Sequence, residues 1–88
     1  MEREIIKVPE DLRNEFSGTH DVEFNSEVYS FIEDILVLGD GECHDLIWKR
    51  ESDRRYFRFG YQYYDYNYYY QENLEEVFPE QIIKTIYK

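Results

Sequence analysis

The chain has 88 residues, of which 20 are acidic and 10 are basic, and its formal net charge is -10. A chain of this length forms one small domain and has no room for a large enzyme fold. Hydrophobic residues make up 42% and aromatic residues 19% of the sequence, which is too apolar for a disordered acidic segment. We therefore expect residues 1–88 to form a single folded domain.

The sequence also contains features that indicate the cellular compartment of the protein. It contains one cysteine, so no disulfide can form within the chain. The first ten residues, MEREIIKVPE, are charged from the second position, unlike the apolar core of a signal peptide. The longest apolar run, ILVLG, is much shorter than the roughly 20 residues that span a bilayer. These features predict a cytoplasmic protein with no membrane partner.

The first elements are short. The stretch EIIKV, residues 4–8, predicts a strand that ends at Pro9. The following PEDLRNEF predicts a short helix, because proline suits the first helical position, acids suit the first turn, and Leu12 and Phe16 lie four residues apart.

The stretch at residues 26–38 is predicted to be a second helix. Asn25 or Ser26 can cap it, apolar residues recur at helical spacing, and Gly39 supplies a stop. An alternative is a strand through DILVL that turns at GDG into ECHDLIW, since glycine and aspartate between apolar runs also mark a hairpin. The non-alternating stretch SEVYSFIED favours the helix.

The segments LIWKRE and RRYFRF predict an antiparallel hairpin joined by Ser52 and Asp53. In that register Trp48 lies opposite Phe57 and Leu46 opposite Phe59, so these two apolar pairs share one face. The alternation continues through Tyr61 and Tyr63, and it places His44 on the same side, near Tyr61.

Seven tyrosines occupy residues 61–70, YQYYDYNYYY. Asp65 and Asn67 are turn formers, so this run is predicted to be a hairpin whose second strand pairs with the first. After it, ENLEEVFPE is predicted to be a helical turn or a loop that packs Leu74, and QIIKTIYK a closing strand. The predicted fold is therefore α+β, with an antiparallel sheet of about three to five strands packed against one or two helices.

Acidic residues are candidates for binding a basic partner. If the second helix starts early, Glu23, Glu27 and Asp34 line one outer stripe. Glu33 lies beside the stripe, and Asp40 and Glu42 lie just beyond it. Such a row could imitate nucleic-acid phosphates, although a solvated helix face has the same pattern.

The tyrosines are the second group of candidates, because tyrosine is enriched in protein recognition surfaces. One face of a small sheet cannot bury them all, so we expect several to be exposed contact residues, namely Tyr64, Tyr66, Tyr68 and Tyr70. The alternative is that they are half-buried strand formers.

Other chemistry is poorly supported by the sequence. Lys49, Arg50, Arg54, Arg55 and Arg58, interleaved with aromatic residues, resemble a single-strand nucleic-acid surface. The net charge opposes that use, so direct nucleic-acid binding is not expected. The adjacent Cys43 and His44 would point to opposite faces of a strand, and no catalytic constellation can be assembled. We expect neither an enzyme nor a cofactor or metal site.

In size and composition the chain resembles the small acidic inhibitors that phages and bacteria direct against nucleic-acid enzymes, such as anti-CRISPR and anti-restriction proteins, DNA mimics and nuclease-toxin immunity proteins. The resemblance implies a phage-type inhibitor that blocks the nucleic-acid site of a basic protein, and it assigns no residues. Two alternatives stay open: a nucleic-acid or peptide binding module that uses the basic hairpin, and a structural domain in which the tyrosine hairpin forms a homodimer.

Overall fold

The computed structural model describes residues 3–39 and 41–78, which form one antiparallel sheet and one helix. The elements in chain order are β1 Ile5–Lys7, α1 Glu10–Phe16, β2 Val22–Phe24, β3 Glu27–Gly39, β4 Gly41–Arg50, β5 Arg55–Tyr64, β6 Asn67–Tyr70 and β7 Asn73–Val77. The strand order is β1-β7-β5-β4-β3-β2, and β6 pairs with the free half of β5. The sheet curls into a half-barrel.

The predicted fold class is therefore wrong. In place of an α+β domain with about three to five strands and one or two helices, the described residues form seven strands and a single short helix. The main error is the second helix, since residues 26–38 fall almost entirely within strand β3. The hairpin alternative for this region is correct.

A β-bulge explains why β3 imitates a helix in the sequence. The register between β3 and β4 shifts between Phe31 and Glu33. Before the shift, Tyr29 and Phe31 face the core, whereas after it Asp34 and Leu36 take that side. One extra residue interrupts the period of two, so the inner-facing positions of β3 are residues 29, 31, 34 and 36 and the strand does not show a regular alternation.

The first two elements lie where the sequence predicts them. β1 is a three-residue strand paired with β7, and α1 follows with Glu10 and Asp11 in its first turn. Pro9 occupies the N-cap position of this helix and not its first helical position. Among the described residues, no helix has the length and apolar character needed to cross a membrane.

The register of the β4–β5 hairpin is confirmed. Trp48 pairs with Phe57 and Leu46 with Phe59, as predicted. The loop is longer than the predicted two residues, because residues 51–54 form the turn and the Arg54 N–H donates to the Arg50 carbonyl at 2.8 Å. Since Arg54 takes a positive φ of 60°, the longer loop returns the chain in the same register.

Two tight turns depend on residues other than glycine with positive φ. The predicted tyrosine hairpin is confirmed, and Asp65 and Tyr66 form its turn with φ values of 53° and 64°. Asn25 and Ser26, with φ values of 55° and 61°, turn β2 into β3. Two successive positive φ values are typical of a type I′ hairpin turn. The predicted helix cap at Asn25 or Ser26 is therefore wrong.

The region after the tyrosine hairpin also differs from its prediction. Residues 73–77 form strand β7, where a helical turn or loop was predicted, although Leu74 is buried as expected. Asp40, Pro79 and the predicted closing strand QIIKTIYK lie outside the described residues.

The core lies on one side of the sheet, which we call the inner face, and α1 covers one end of it. Phe16 of the helix is fully buried, and its ring lies 5.3 Å from that of Trp48 and 5.5 Å from that of Tyr29. The Trp48 indole N–H donates to the Phe16 carbonyl at 3.1 Å, so the helix is held by a polar bond as well as by packing. Because α1 has only seven residues, it covers one end of the inner face, and the side chains beyond Leu46 and Phe59 are half-buried or exposed.

Candidate binding surface

The uncovered end of the inner face combines aromatic rings with carboxylates. The register of β3, β4, β5 and β6 places seven ring-bearing or acidic side chains there, on the same side of the sheet as Leu46 and Phe59. We call this group the aromatic–acidic face: Asp34, Glu42, His44, Tyr61, Tyr63, Tyr68 and Tyr70.

The rings form a continuous surface across three strands. His44 and Tyr61 are stacked, with centroids 4.8 Å apart and planes 5° apart. Tyr61 lies 6.0 Å from Tyr68 and 6.1 Å from Tyr70, and Tyr63 lies 4.8 Å from Tyr68. The Tyr70 hydroxyl donates to the Asn14 side-chain oxygen at 3.3 Å, which ties this surface to α1.

His44 lies between the two carboxylates. Its Nδ1 is 2.8 Å from an Asp34 oxygen, and its Nε2 is 3.4 Å from a Glu42 oxygen. A neutral imidazole can donate from only one nitrogen, whereas the imidazolium donates from both. Burial lowers the pKa of His44, but the hydrogen bonds and charges of Asp34 and Glu42 outweigh it and raise the pKa above its ordinary value.

The carboxylates keep capacity for a further cation. The side chain of Glu42 is 61% exposed and that of Asp34 is 39% exposed, whereas His44 is only 16% exposed. Each carboxylate oxygen can accept more than one hydrogen bond. Burial and the charge of Asp34 raise the pKa of Tyr61, so its phenol stays protonated as a donor.

This chemistry fits a cationic ligand. Tyrosine ring faces attract ammonium and guanidinium groups, and carboxylates pair with the same groups. Tyr68 is 58% exposed, which leaves its ring accessible. The surface can therefore hold a lysine or arginine side chain by ring and carboxylate contacts together.

The predicted acidic stripe does not exist as a helix face, because its members lie on strands. Asp34 and Glu42 face inward beside His44, whereas Glu33 shares the outer face with Ile47. Glu23 pairs with the exposed Val28, and Glu27 pairs with Phe24 at the start of β3. Of the five predicted acids that the structure describes, it thus brings two together and separates the other three from them, while Asp40 lies outside the described residues.

The predicted tyrosines are similarly divided. Tyr68 and Tyr70 belong to the aromatic–acidic face, whereas Tyr64 lies on the outer face at the end of β5. Tyr66 is in the turn and is 89% exposed. The hairpin therefore presents tyrosines on both faces of the sheet.

Three residues of the face were not predicted as binding residues: His44, Tyr61 and Tyr63. The sequence had already placed His44 on the core side near Tyr61, and this position is confirmed. These three residues were missed because residues 26–38 were predicted to be a helix and not a strand. Only the pairing of β3 with β4 brings Asp34 beside His44 and reveals the carboxylates that flank the ring.

The basic hairpin is largely neutralised by carboxylates. Arg50, only 8% exposed, pairs with Glu4 at 2.9 Å and Asp53 at 2.8 Å. Arg55 contacts the same two carboxylates, and Arg58 pairs with Glu75. These ion pairs join the β4–β5 hairpin to Glu4, just before β1, and to Glu75 of β7, which weighs against the use of these arginines on phosphates.

Metal and thiol chemistry gain no support from the described part of the chain. Within residues 3–39 and 41–78, no three His, Cys, Asp or Glu side chains form a group that could hold a metal ion. Cys43 is a half-buried free thiol.

No protein-family model, curated protein or solved structure matches this chain.

Proposed function

We propose that this chain is a binding protein that recognises a basic protein through the aromatic–acidic face and blocks that protein's nucleic-acid site. The observation that carries the proposal is the grouping of Asp34, Glu42 and four accessible or half-buried tyrosines around His44 on an uncovered end of the sheet.

Electrostatics supports a basic partner. A net charge of -10 on a chain of 88 residues accelerates encounter with lysine- and arginine-rich surfaces. Such surfaces are common on proteins that bind nucleic-acid phosphates. A protein seated on one of them excludes nucleic acid both by its volume and by its charge.

The tyrosines supply the second part of the interaction. Large aromatic side chains at the centre of an interface carry much of the binding energy and slow dissociation. Charge then sets how fast the complex forms, and ring contacts set how long it lasts. The proposal needs no phosphate-like row of acids, since two carboxylates and the rings form the contact.

The test is affinity capture with two matched variants. Immobilised wild-type chain is incubated with nuclease-treated lysate of the source cells, and bound proteins are eluted with duplex DNA. Asp34→Asn/Glu42→Gln removes the two carboxylates of the face. Glu23→Gln/Glu51→Gln makes the same charge change at two exposed positions elsewhere.

We expect a basic protein that is released by DNA, retained by the Glu23/Glu51 variant and lost at least tenfold by the Asp34/Glu42 variant. Equal capture by both variants would show that the aromatic–acidic face is not the contact. A captured protein that DNA does not release would contradict the blocking of a nucleic-acid site.

A further inference from the structure

Strand β3 has a long edge without a neighbour among the described residues. β2 pairs only with residues 27–29 of β3. Within residues 3–39 and 41–78, no strand pairs with that edge from Ser30 to Gly39. An edge of this length presents a row of N–H and C=O groups that another strand can pair with.

The hydrogen-bonding pattern shows which residues offer these groups. The Gly60 carbonyl accepts from the Gln71 N–H at 2.9 Å, so Gly60 points its backbone polar groups away from β4. These groups alternate along a strand, so Phe59 and Tyr61 direct theirs at β4, which pairs them with Leu46 and His44.

The same alternation of backbone N–H and C=O directions can be followed from β5 through β4 to β3. Because Leu46 and His44 direct their backbone groups at β5, Asp45 between them directs its groups at β3, where it pairs with Ile35. The neighbours of Ile35, Asp34 and Leu36, therefore direct their N–H and C=O groups at the open edge. Their side chains lie on the inner face, beside His44.

We infer that the ligand of this chain is an extended basic segment of the partner, which adds to the sheet as a strand along β3. This inference rests on the proposed function and specifies how the partner is held. Backbone hydrogen bonds form at Asp34 and Leu36. Residues directly opposite each other share a face, so a partner arginine or lysine opposite Asp34 projects onto the aromatic–acidic face.

Charge decides between a basic segment and a second copy of this chain. Glu33 and Asp34 lie near the middle of the open edge, on opposite faces of the strand. Charged residues on edge strands discourage pairing with like-charged strands. Two copies, each of net charge -10, would bring these acids together, whereas a basic strand pairs with them.

The test uses a peptide of alternating arginine and threonine as the probe. Leu36→Pro removes the edge-directed N–H of β3 and leaves the bonds to β4 in place, a position where proline is tolerated in edge strands. Leu36→Val is the matched control, because it shortens the same half-exposed side chain and keeps the N–H. Binding is measured by calorimetry, and amide hydrogen exchange is followed by NMR.

We expect the peptide to bind the wild type and Leu36→Val, and to bind Leu36→Pro at least tenfold more weakly. The Asp34 and Leu36 amides should exchange at least tenfold more slowly in the complex, with little change at Ile35, which already bonds to β4.

Three results would overturn the inference. Equal binding by Leu36→Pro, together with loss of binding in Asp34→Asn/Glu42→Gln, would reject strand addition and leave the proposed function standing. Protection of the Asp34 and Leu36 amides before peptide is added would mean that the edge is already occupied, by this chain or by a second copy. No binding of the peptide by wild type would reject a basic strand as the ligand, while the capture experiment decides the proposed function separately.

Discussion

The protonation state of His44 affects how the aromatic–acidic face binds a cation. Asp34 and Glu42 hydrogen-bond to its two ring nitrogens, and the stacked Tyr61 covers one side of the ring. The rings of Tyr68 and Tyr70 lie next to Tyr61 on the same face. Within residues 3–39 and 41–78, the protonated His44 therefore competes with a partner's cation for both carboxylates.

The first prediction concerns this competition. As the pH rises through the raised pKa of His44, the imidazolium loses its charge and frees the carboxylates. Binding of the arginine–threonine peptide should strengthen by about fivefold, equivalent to roughly 1 kcal/mol for one partly exposed ion pair. Calorimetry across this pH range measures the change.

The same ion pairs affect folding in the opposite direction. Because the pKa of His44 is raised in the folded state, the charged ring stabilises the fold at pH values below the ordinary histidine pKa. That contribution is lost as the pH rises through the raised value. In Asp34→Asn, an NMR titration should show a lower pKa for His44; an unchanged pKa would contradict the role assigned to Asp34.

Arg50 is the second residue whose contacts support a prediction. It is buried, lies 4.9 Å from the centre of the Phe57 ring and bonds to Glu4 and Asp53. Replacement by methionine leaves these carboxylates without their main partner, so Arg50→Met should lower the free energy of unfolding by about 2–3 kcal/mol. Urea denaturation measures this, and Arg54→Met at an exposed turn position should change it by less than about 0.5 kcal/mol.

The acid dependence of stability provides an independent check on Arg50. Its hydrogen bonds lower the pKa values of Glu4 and Asp53. Their contribution to stability is complete above the ordinary carboxyl pKa of about 4 and is lost as the pH falls through the lowered values. In Arg50→Met this loss on acidification should be smaller than in wild type. An equal loss would assign the acid sensitivity to other carboxylates.

At the scale of elements, the tyrosine hairpin contains a strained turn. Tyr66 has a φ of 64° and is 89% exposed, so its side chain adds backbone strain with little packing in return. Tyr66→Gly should raise the free energy of unfolding by about 0.5 kcal/mol, because glycine takes positive φ without penalty. Thermal denaturation measures the change.

A control within the same hairpin separates turn strain from loss of a tyrosine. Tyr64→Gly replaces a strand residue that pairs with Asn67, and it should be destabilising, because glycine weakens a strand. If Tyr66→Gly also destabilises the protein, the Tyr66 ring contributes contacts that outweigh the strain of its backbone.

The elements also show what sequence alone can predict here. The β4–β5 register follows from alternation, since this pairing places Trp48 opposite Phe57 and Leu46 opposite Phe59 on one apolar face. Alternation does not predict β3 correctly, because a bulge between Phe31 and Glu33 shifts which residues face the core. The sequence pattern gives no sign of the bulge, whereas the β-branched Val28, Ile32, Ile35 and Val37 are residues that favour a strand.

The prediction of a helix in place of β3 also affected the predicted arrangement of the whole molecule. The predicted helix placed Asp34 on a solvated stripe and Glu42 just beyond it. As a strand, β3 pairs Leu36 with His44 and brings Asp34 within 2.8 Å of the ring. The two candidate groups, acids and tyrosines, could each be predicted from composition. Their meeting on one face depends on long-range pairing, which the local pattern does not contain.

The shape of the molecule explains why that face is open. Strands β4 and β5 each have ten residues, whereas the helix packed against them has seven. At about 3.3 Å per strand residue and 1.5 Å per helical residue, α1 spans roughly a third of the length of those strands. Phe16 and Trp48 fill the covered end, and the rings of the aromatic–acidic face lie on the remainder.

The most direct test of the central claim is the dissociation constant of the arginine–threonine peptide, measured at low and high salt for the wild type and the two double variants. The account predicts at least tenfold weaker binding for Asp34→Asn/Glu42→Gln and less than threefold for Glu23→Gln/Glu51→Gln, with a smaller salt dependence only in the first. Equal affinities and equal salt dependence in both variants would mean that the net charge, and not the aromatic–acidic face, holds the cationic ligand.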